Sequence, residues 1–382
     1  MIQITTRCVA HLVVRFALPA LLGLSVAACT GPATGVPAVQ PIAATPTPAA
    51  TPDATPAASR QLMLYSWAEY MPQSVLDAFT AETGVPVIYR TYDSQDEAAA
   101  AIRSGALPFD VAVIAYDQAP ALIEAGLLAR LDRANLPNFR NIGPEFRNLF
   151  YDPANDYTVP YLWGTTALLV RTDLLPQPIT HWSDLWDLPS GTHILARPIP
   201  DELLGAALLA LDYDLNSADA GQLEAALQQL LLLKPALQFV PVETEDALRP
   251  LLDGEAAIMI GWNGDALTAR EENPNVTYVL PEEGAIAWID NLVVSAQTDD
   301  QALAEQFINF VLRPEISAAI TEAYYYPSAN AAAQSQVDAE LRADPLLFPA
   351  LEDIGRAVFY LPRSLEVEEQ YAKLWQRFEQ AP

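Results

Sequence analysis

Residues 30–60 are almost wholly Pro, Ala, Thr, Gly and Val, with no aromatic side chain and a single acid, Asp53, so this stretch cannot bury a core. Folding is confined to the residues after it. A proline-rich segment favours an extended path of ~3.1 Å per residue and behaves as a tether. From Arg60 onward about 320 residues remain, more than one hydrophobic core usually supports, and two lobes are expected. Cysteine occurs only at Cys8 and Cys29, both ahead of the tether, so the folded part has no disulfide available and stands on its core alone.

Ahead of the tether, Arg7 and Arg15 lead into an apolar run over residues 16–28 that stops at Cys29. This is the layout of a secretory signal. Interrupted by Pro19 and Gly23, the run falls short of the ~20 residues a helix needs to span a bilayer. The junction Val26-Ala27-Ala28-Cys29 resembles a bacterial lipobox, which implies cleavage before Cys29 and a lipid on its sulfur. Residues 1–28 then form a signal peptide and 29–60 a lipidated cysteine with its linker. The folded part is expected outside the cytoplasm, on the periplasmic or cell-surface side, and attached to the membrane through the lipid alone. The formal charge of −28 becomes −30 without Arg7 and Arg15, since residues 1–28 contain no acid. Such a surface repels nucleic acid and is compatible with a cationic solute.

From Gln61 strand and helix patterns alternate. Residues 62–66 and 85–92 read as apolar or β-branched strands, and the helix between them starts at Pro72, presents Val75, Leu76 and Phe79 on one face and ends at Gly84. Ser94 and Glu97 form a capping-box pattern for a helix through 98–102 that Gly105 stops. Next come a buried-type strand over 109–114 and a helix over 119–124. A second α/β stretch over 164–284 holds a strand over 192–196, helices over 203–211 and 222–232, and a helix-to-strand element over 246–262. Two amphipathic helices, 301–311 and 366–378, close the chain. Repeated strand–helix units imply an α/β fold with a mainly parallel sheet covered on both faces.

Motifs of catalysis and cofactor binding are missing. There is no paired-histidine metalloprotease helix, no Gly-x-x-x-x-Gly-Lys phosphate loop, no Gly-x-Gly-x-x-Gly and no Gly-x-Ser-x-Gly elbow. His11 leaves with the signal, while His181 and His193 fall in a polar loop and at a strand start. The reading is of a non-enzyme without metal or cofactor, acting as a monomer.

An ordered set of short motifs carries a resemblance. It comprises Tyr65-Ser-Trp67-Ala-Glu-Tyr70, Glu82-Thr-Gly84 with Tyr92, Phe109-Asp110, and Asp152-Pro-Ala-Asn-Asp156-Tyr-Thr-Val-Pro-Tyr161-Leu-Trp-Gly-Thr165. It continues with Trp182-Ser-Asp-Leu-Trp186, Trp262-Asn-Gly264, Glu283-Gly284-(x)3-Trp288-Ile-Asp290, Phe310-Val-Leu-Arg-Pro314 and Tyr326-Pro327. Together, over nearly all of residues 61–382, these resemble the spermidine/putrescine-binding solute-binding proteins of polyamine ABC importers. The resemblance implies a two-lobed periplasmic-binding-protein-like fold of type II, with the ligand in a cleft between lobes and hinge crossings near residues 167–170, 285–288 and 335–339. Lobe 1 would comprise 61–167 with 289–335, and lobe 2 would comprise 168–288 with 336–382. By matched position Trp67 and Tyr70 contribute from the first lobe, Trp262 from the second, and Trp288, Asp290 and Tyr326 from around a crossing. Asp290 is the main ammonium anchor in this reading and Glu202 a second carboxylate. A polyamine, the permease subunits of the importer and the membrane lipid are the implied partners.

The match departs from the family at four places. Ile199 stands where the family has an aspartate, leaving Asp201 as a substitute, and the stretch Ala115–Asp117 lacks the family's serine. Tyr360 replaces a glutamine, and Arg197 is expected near the rim of the second lobe, where it would repel a cation. The run Tyr324-Tyr325-Tyr326 keeps a ferric-ion-binding alternative open, with hard phenolate ligands. An enzyme or a sensor on the same fold is a further alternative. Cys29→Ala is expected to leave a folded, soluble protein that no longer fractionates with membranes; a variant that stays in the membrane fraction would overturn the anchor.

Overall fold

The computed structural model describes residues 60–382 apart from 106, 243 and 350–354. Cys8, Cys29, the apolar leader and residues 30–59 lie outside the described residues. The strands are β1 (Leu62–Trp67), β2 (Val87–Tyr92), β3 (Val111–Ala115), β4 (Thr158–Arg171), β5 (Ile194–Ala196), β6 (Leu237–Phe239), β7 (Ile258–Trp262), β8 (Val276–Val279), β9 (Ile286–Val294) and β10 (Val358–Phe359). The helices are α1 (Gln73–Thr83), α2 (Gln95–Ser104), α3 (Ala119–Glu124), α4 (Pro200–Ala210), α5 (Ala220–Leu233), α6 (Thr244–Leu252), α7 (Asn263–Glu272), α8 (Gln301–Val311), α9 (Pro314–Tyr324), α10 (Ala339–Arg342) and α11 (Leu365–Gln380).

Local chemistry explains the element ends. Pro72 precedes α1 and Gly84 ends it in the left-handed region at φ 73°, a conformation that costs glycine least. The Ser94 hydroxyl accepts the Glu97 amide at 3.1 Å, while the Glu97 carboxylate accepts the amide of Asp93 at 3.0 Å. The box therefore closes one residue earlier than the Ser94 pattern implies. Pro200 opens α4 three residues ahead of the sequence reading, because a proline at the first helical position forfeits no hydrogen bond.

All ten strands share one sheet in the order β2-β1-β3-β9-β4-β7-β5-β6, with β10 beside β9 and β8 beside β4. Parallel pairing holds within β2-β1-β3 and within β7-β5-β6. The sheet is mixed rather than mainly parallel, because the long strands β4 and β9 run antiparallel to each other and to β3, β7 and β8, only the short β10 pairing in parallel with β9. The alternation pattern did not mark β9, since it is buried on both faces and lacks a period of two. Along β4 the partner changes: residues 158–166 pair with β9 and 166–170 with β7, with a register shift between Pro160 and Trp163. Along β9 residues 286–287 meet β10 and 290–294 meet β3.

Two large cores flank this seam. One packs α1 and α8 on the β1-β3 end, with Phe79 against Phe307 and Phe310 at 5.1 and 5.4 Å. The other gathers α4, α5 and α11 around Leu203, Leu227 and Phe378. The loop feeding β4 is organised by the buried Asp152, whose carboxylate accepts the amides of Asp156, Tyr157 and Thr158 at 2.8–3.0 Å and the Thr158 hydroxyl at 2.9 Å. Those donors cannot all find water once Asp152 is cut back. Asp152→Ala should therefore cost about 3 kcal/mol of unfolding free energy in a urea titration, and a loss below about 1 kcal/mol would show that the loop re-satisfies itself.

Candidate ligand-binding site

Parallel strands leave their carboxyl ends on one edge, and here two sets of such ends face each other. β1 ends at Trp67, β2 at Tyr92, β3 at Ala115 and β7 at Trp262, and all four residues line a cleft of ≈ 620 Å³. Clefts at the carboxyl ends of strands are where α/β sheets bind small molecules. Trp67, Tyr70, Glu202, Trp262, Trp288, Asp290 and Tyr326, the seven residues singled out by sequence, all line it.

The aromatic members form a connected row. Trp67 lies 6.5 Å from Trp262, Trp262 6.5 Å from Trp288, Trp288 5.4 Å from Tyr326 and Tyr326 5.8 Å from Tyr70, centroid to centroid. Close backbone approach sets two of these rings. A methyl group on Gly164 would overlap the Trp288 ring and the Asn263 side-chain oxygen, and one on Gly264 would overlap the Tyr326 ring. The glycines of both sequence motifs are thus seats for aromatic rings.

Asp290 sits among these rings at 6% exposure. Its carboxylate accepts the Tyr70 hydroxyl at 2.7 Å and has no ion pair among the described residues. Burial pushes the carboxyl up to about 7, with the Tyr70 hydrogen bond pulling it down and neighbouring Asp117 adding to the rise. Glu202, in the first turn of α4, accepts the Thr166 hydroxyl at 2.8 Å and the Trp262 indole N–H at 2.9 Å. Burial raises it too, against those two hydrogen bonds and the Arg197 charge. The Trp288 indole N–H is buried without an acceptor among the described residues.

Two sequence expectations change. Arg197 is not a rim cation: it is 1% exposed, binds Asp265 through both guanidinium arms at 2.7 and 3.0 Å, and lies 3.8 Å beneath the centre of the Trp262 ring. Asp265 also accepts the Trp262 amide at 3.0 Å, so the pair neutralises itself and props the tryptophan toward the cleft. Asp201 reaches the cleft but is bound by Arg363, which also holds Glu368 at 3.1 Å. It is no free substitute for the carboxylate missing at Ile199. Of the three adjacent tyrosines only Tyr326 lines the cleft, and the Tyr325 hydroxyl donates to Glu271 at 2.6 Å. No metal-binding group of His, Cys, Asp or Glu side chains is found among the described residues.

Sequence reasoning passed over other lining residues. Glu69, Asp93 and Asp117 line the first half, and Tyr371 and Trp375 of α11 wall the second. Asp117 was within reach, three residues past the strand end read at 114. The α11 wall was not, since an amphipathic helix does not announce which of its residues will meet a cavity.

The family of bacterial extracellular solute-binding proteins matches residues 74–349. The chain is 34% identical over 320 residues to the spermidine/putrescine-binding periplasmic protein of Salmonella typhimurium, covering 82% of this chain and 91% of that protein. It is 30% identical over 324 residues to the putrescine-binding periplasmic protein SpuD of Pseudomonas aeruginosa, covering 80% and 87%. The solved spermidine/putrescine ABC transporter substrate-binding protein PotD of Streptococcus pneumoniae superposes with a TM-score of 0.73 at 31% identity, over 84% of this chain and 99% of that one. The fold is the two-lobed one of periplasmic binding proteins, and no helix among the described residues is long and apolar enough to cross a membrane. This chain belongs to the bacterial extracellular solute-binding proteins, a family of binding proteins and not of enzymes.

Proposed function

We propose that the cleft binds a polyamine of the putrescine or spermidine kind, and that the protein, held to the membrane by a lipid on Cys29, hands it as a monomer to the permease of an ABC importer. The observation that carries this reading is Asp290, a buried carboxyl with a tyrosine hydroxyl as its partner, no basic side chain paired to it and aromatic rings around it. A flexible polyammonium chain supplies what the pocket lacks. Its methylenes desolvate against Trp262 and Trp288, and its ammonium gains the π faces and the Asp290 charge. Glu202 serves as a second, weaker anchor, and Trp67, Tyr70 and Tyr326 complete the contacts. The relatives' names, spermidine/putrescine- and putrescine-binding, point the same way.

Within this reading lobe 1 is 61–167 with 289–335 and lobe 2 is 168–288 with 336–382. Closure about the strands that join them brings Trp262 and Glu202 over an amine seated on Asp290. The β4 pairing with β7 over 166–170 supports a crossing at or just before this segment.

Asp290→Asn should weaken polyamine binding by about 2–5 kcal/mol in isothermal titration, part of it the penalty of enclosing an unpaired ammonium. Wild-type affinity should also fall as pH drops below about 7, where Asp290 takes up a proton, approaching about tenfold per pH unit. The ligand-free protein behaves in the opposite sense. A carboxyl raised to about 7 in the fold binds more protons folded than unfolded between its ordinary value and that one, so stability is lost as pH rises through this window. Asp290→Asn should hence melt progressively higher than wild type across it. Absence of binding to any polyamine would sink the assignment; unchanged affinity in the variant would sink only the role of Asp290.

Trp262→Ala and Trp288→Ala should each cost about 1–3 kcal/mol of ligand affinity through lost cation–π and apolar contact. Normal binding with a much lower melting temperature in both would instead make these rings structural.

A further inference from the structure

Asp117 is a half-buried acid on the cleft wall to which polyamine binding through Asp290 and Glu202 gives no task. It lies just past β3, whose register sets Ala115 opposite Asp290 on β9, and the Tyr116 amide donates to the Ile289 carbonyl at 3.0 Å. Five successive residue pairs, from Val111 with Val294 to Ala115 with Asp290, lock the two strands together. Asp117, in the turn that follows β3, is therefore held to the strand pair that carries Asp290, and lobe closure leaves the two on the same side of the cleft. Tyr116 is fixed as well, its hydroxyl accepting the Tyr360 amide at 2.7 Å and its ring packed 5.8 Å from Tyr151.

The Asp117 carboxylate faces the cleft with almost nothing of its own to bind. Its one hydrogen bond from a side chain is a long one, 3.5 Å from the Gln118 amide, and it has no ion pair among the described residues. Arg363, whose charge acts on it, is engaged by Asp201 and Glu368. On the opposite wall Ile199 is apolar, Asp201 is neutralised by that same arginine, and Glu202 is already engaged by the Thr166 hydroxyl and the Trp262 indole N–H. Burial, and then the Asp201 charge, push Asp117 up to about 6. A carboxylate enclosed without a cation is satisfied when the ligand brings one.

Building on the polyamine reading, we propose that Asp117 is a further ammonium-binding carboxylate besides Asp290 and Glu202, and that with Asp290 it forms a pair on one side of the cleft selecting amines with two ammonium groups over monoamines. One ammonium rests on Asp290 and the next on Asp117. Asp290 is on β9 and Asp117 in the turn after its partner β3, so the ligand's charge spacing is read before the second half of the cleft closes.

Tryptophan fluorescence, reporting on Trp67, Trp262 and Trp288, can follow titration of wild type, Asp117→Asn and Asp290→Asn with putrescine and with n-butylamine. In wild type putrescine should bind well above n-butylamine. Asp117→Asn should lose about tenfold or more for putrescine while n-butylamine changes by less than about twofold, because only the diamine uses the second charge. The ligand-free melting temperature should not fall, since the substitution removes a poorly partnered, half-buried acid. Putrescine affinity unchanged in Asp117→Asn, or reduced in the same proportion as n-butylamine, would overturn the role of Asp117. A loss for putrescine in Asp290→Asn alone would leave the polyamine reading standing without it. If wild type binds neither amine, the polyamine reading falls and this inference falls with it.

Discussion

The antiparallel ladder between β4 and β9 is the constraint on which the rest of the molecule hangs. Residues 158–166 pair with residues 286–293, and the two halves of the sheet attach to opposite flanks of this pair, β3 on β9 and β7 on β4. Backbone donors and acceptors buried at the centre of a sheet must be matched, so the ladder is rigid where its register is regular. It yields at the shift between Pro160 and Trp163, next to Gly164 and the Trp288 ring packed on it. The cleft-lining residues Trp288 and Asp290 thus lie on the very strand that joins the halves of the sheet.

A single electrostatic rule sorts the acids of the cleft. A buried charge needs a partner, and where the protein supplies one the group is structural: Asp265 holds Arg197, and Asp201 is held by Arg363. Where the protein supplies none, the carboxyl is driven toward its neutral form, as at Asp290 and Asp117. That cost to the empty protein becomes affinity when a cationic ligand enters. The same rule turns Arg197 from a repulsive rim charge into a neutral support under Trp262, with Glu202 bound to the indole nitrogen on the same ring.

Much of this was legible from residues in order. The alternation of strands and helices from β1 to α3 and the helices α5 and α8 arise from periodicity and caps that act over a few residues. The motif glycines and tryptophans marked the cleft because aromatic rings packed on glycine leave an unusual local sequence. Trp262-Asn-Gly264 places a ring at a strand end and a seat for Tyr326 two residues later.

What sequence alone determined about this protein is therefore its class, its two-lobe size, the absence of cysteine from residues 60–382 and a set of candidate contacts, all properties of composition or of neighbours along the chain. Only the tertiary structure decided which charges are spent and which are free. Arg197 lies 68 residues from Asp265, and Asp201 lies 162 from Arg363, so no local pattern reveals that they meet. Nor does it reveal that β9 runs antiparallel beside β3 and brings Asp290 level with Ala115, because strand register is chosen by burial on both faces of a sheet assembled from distant segments.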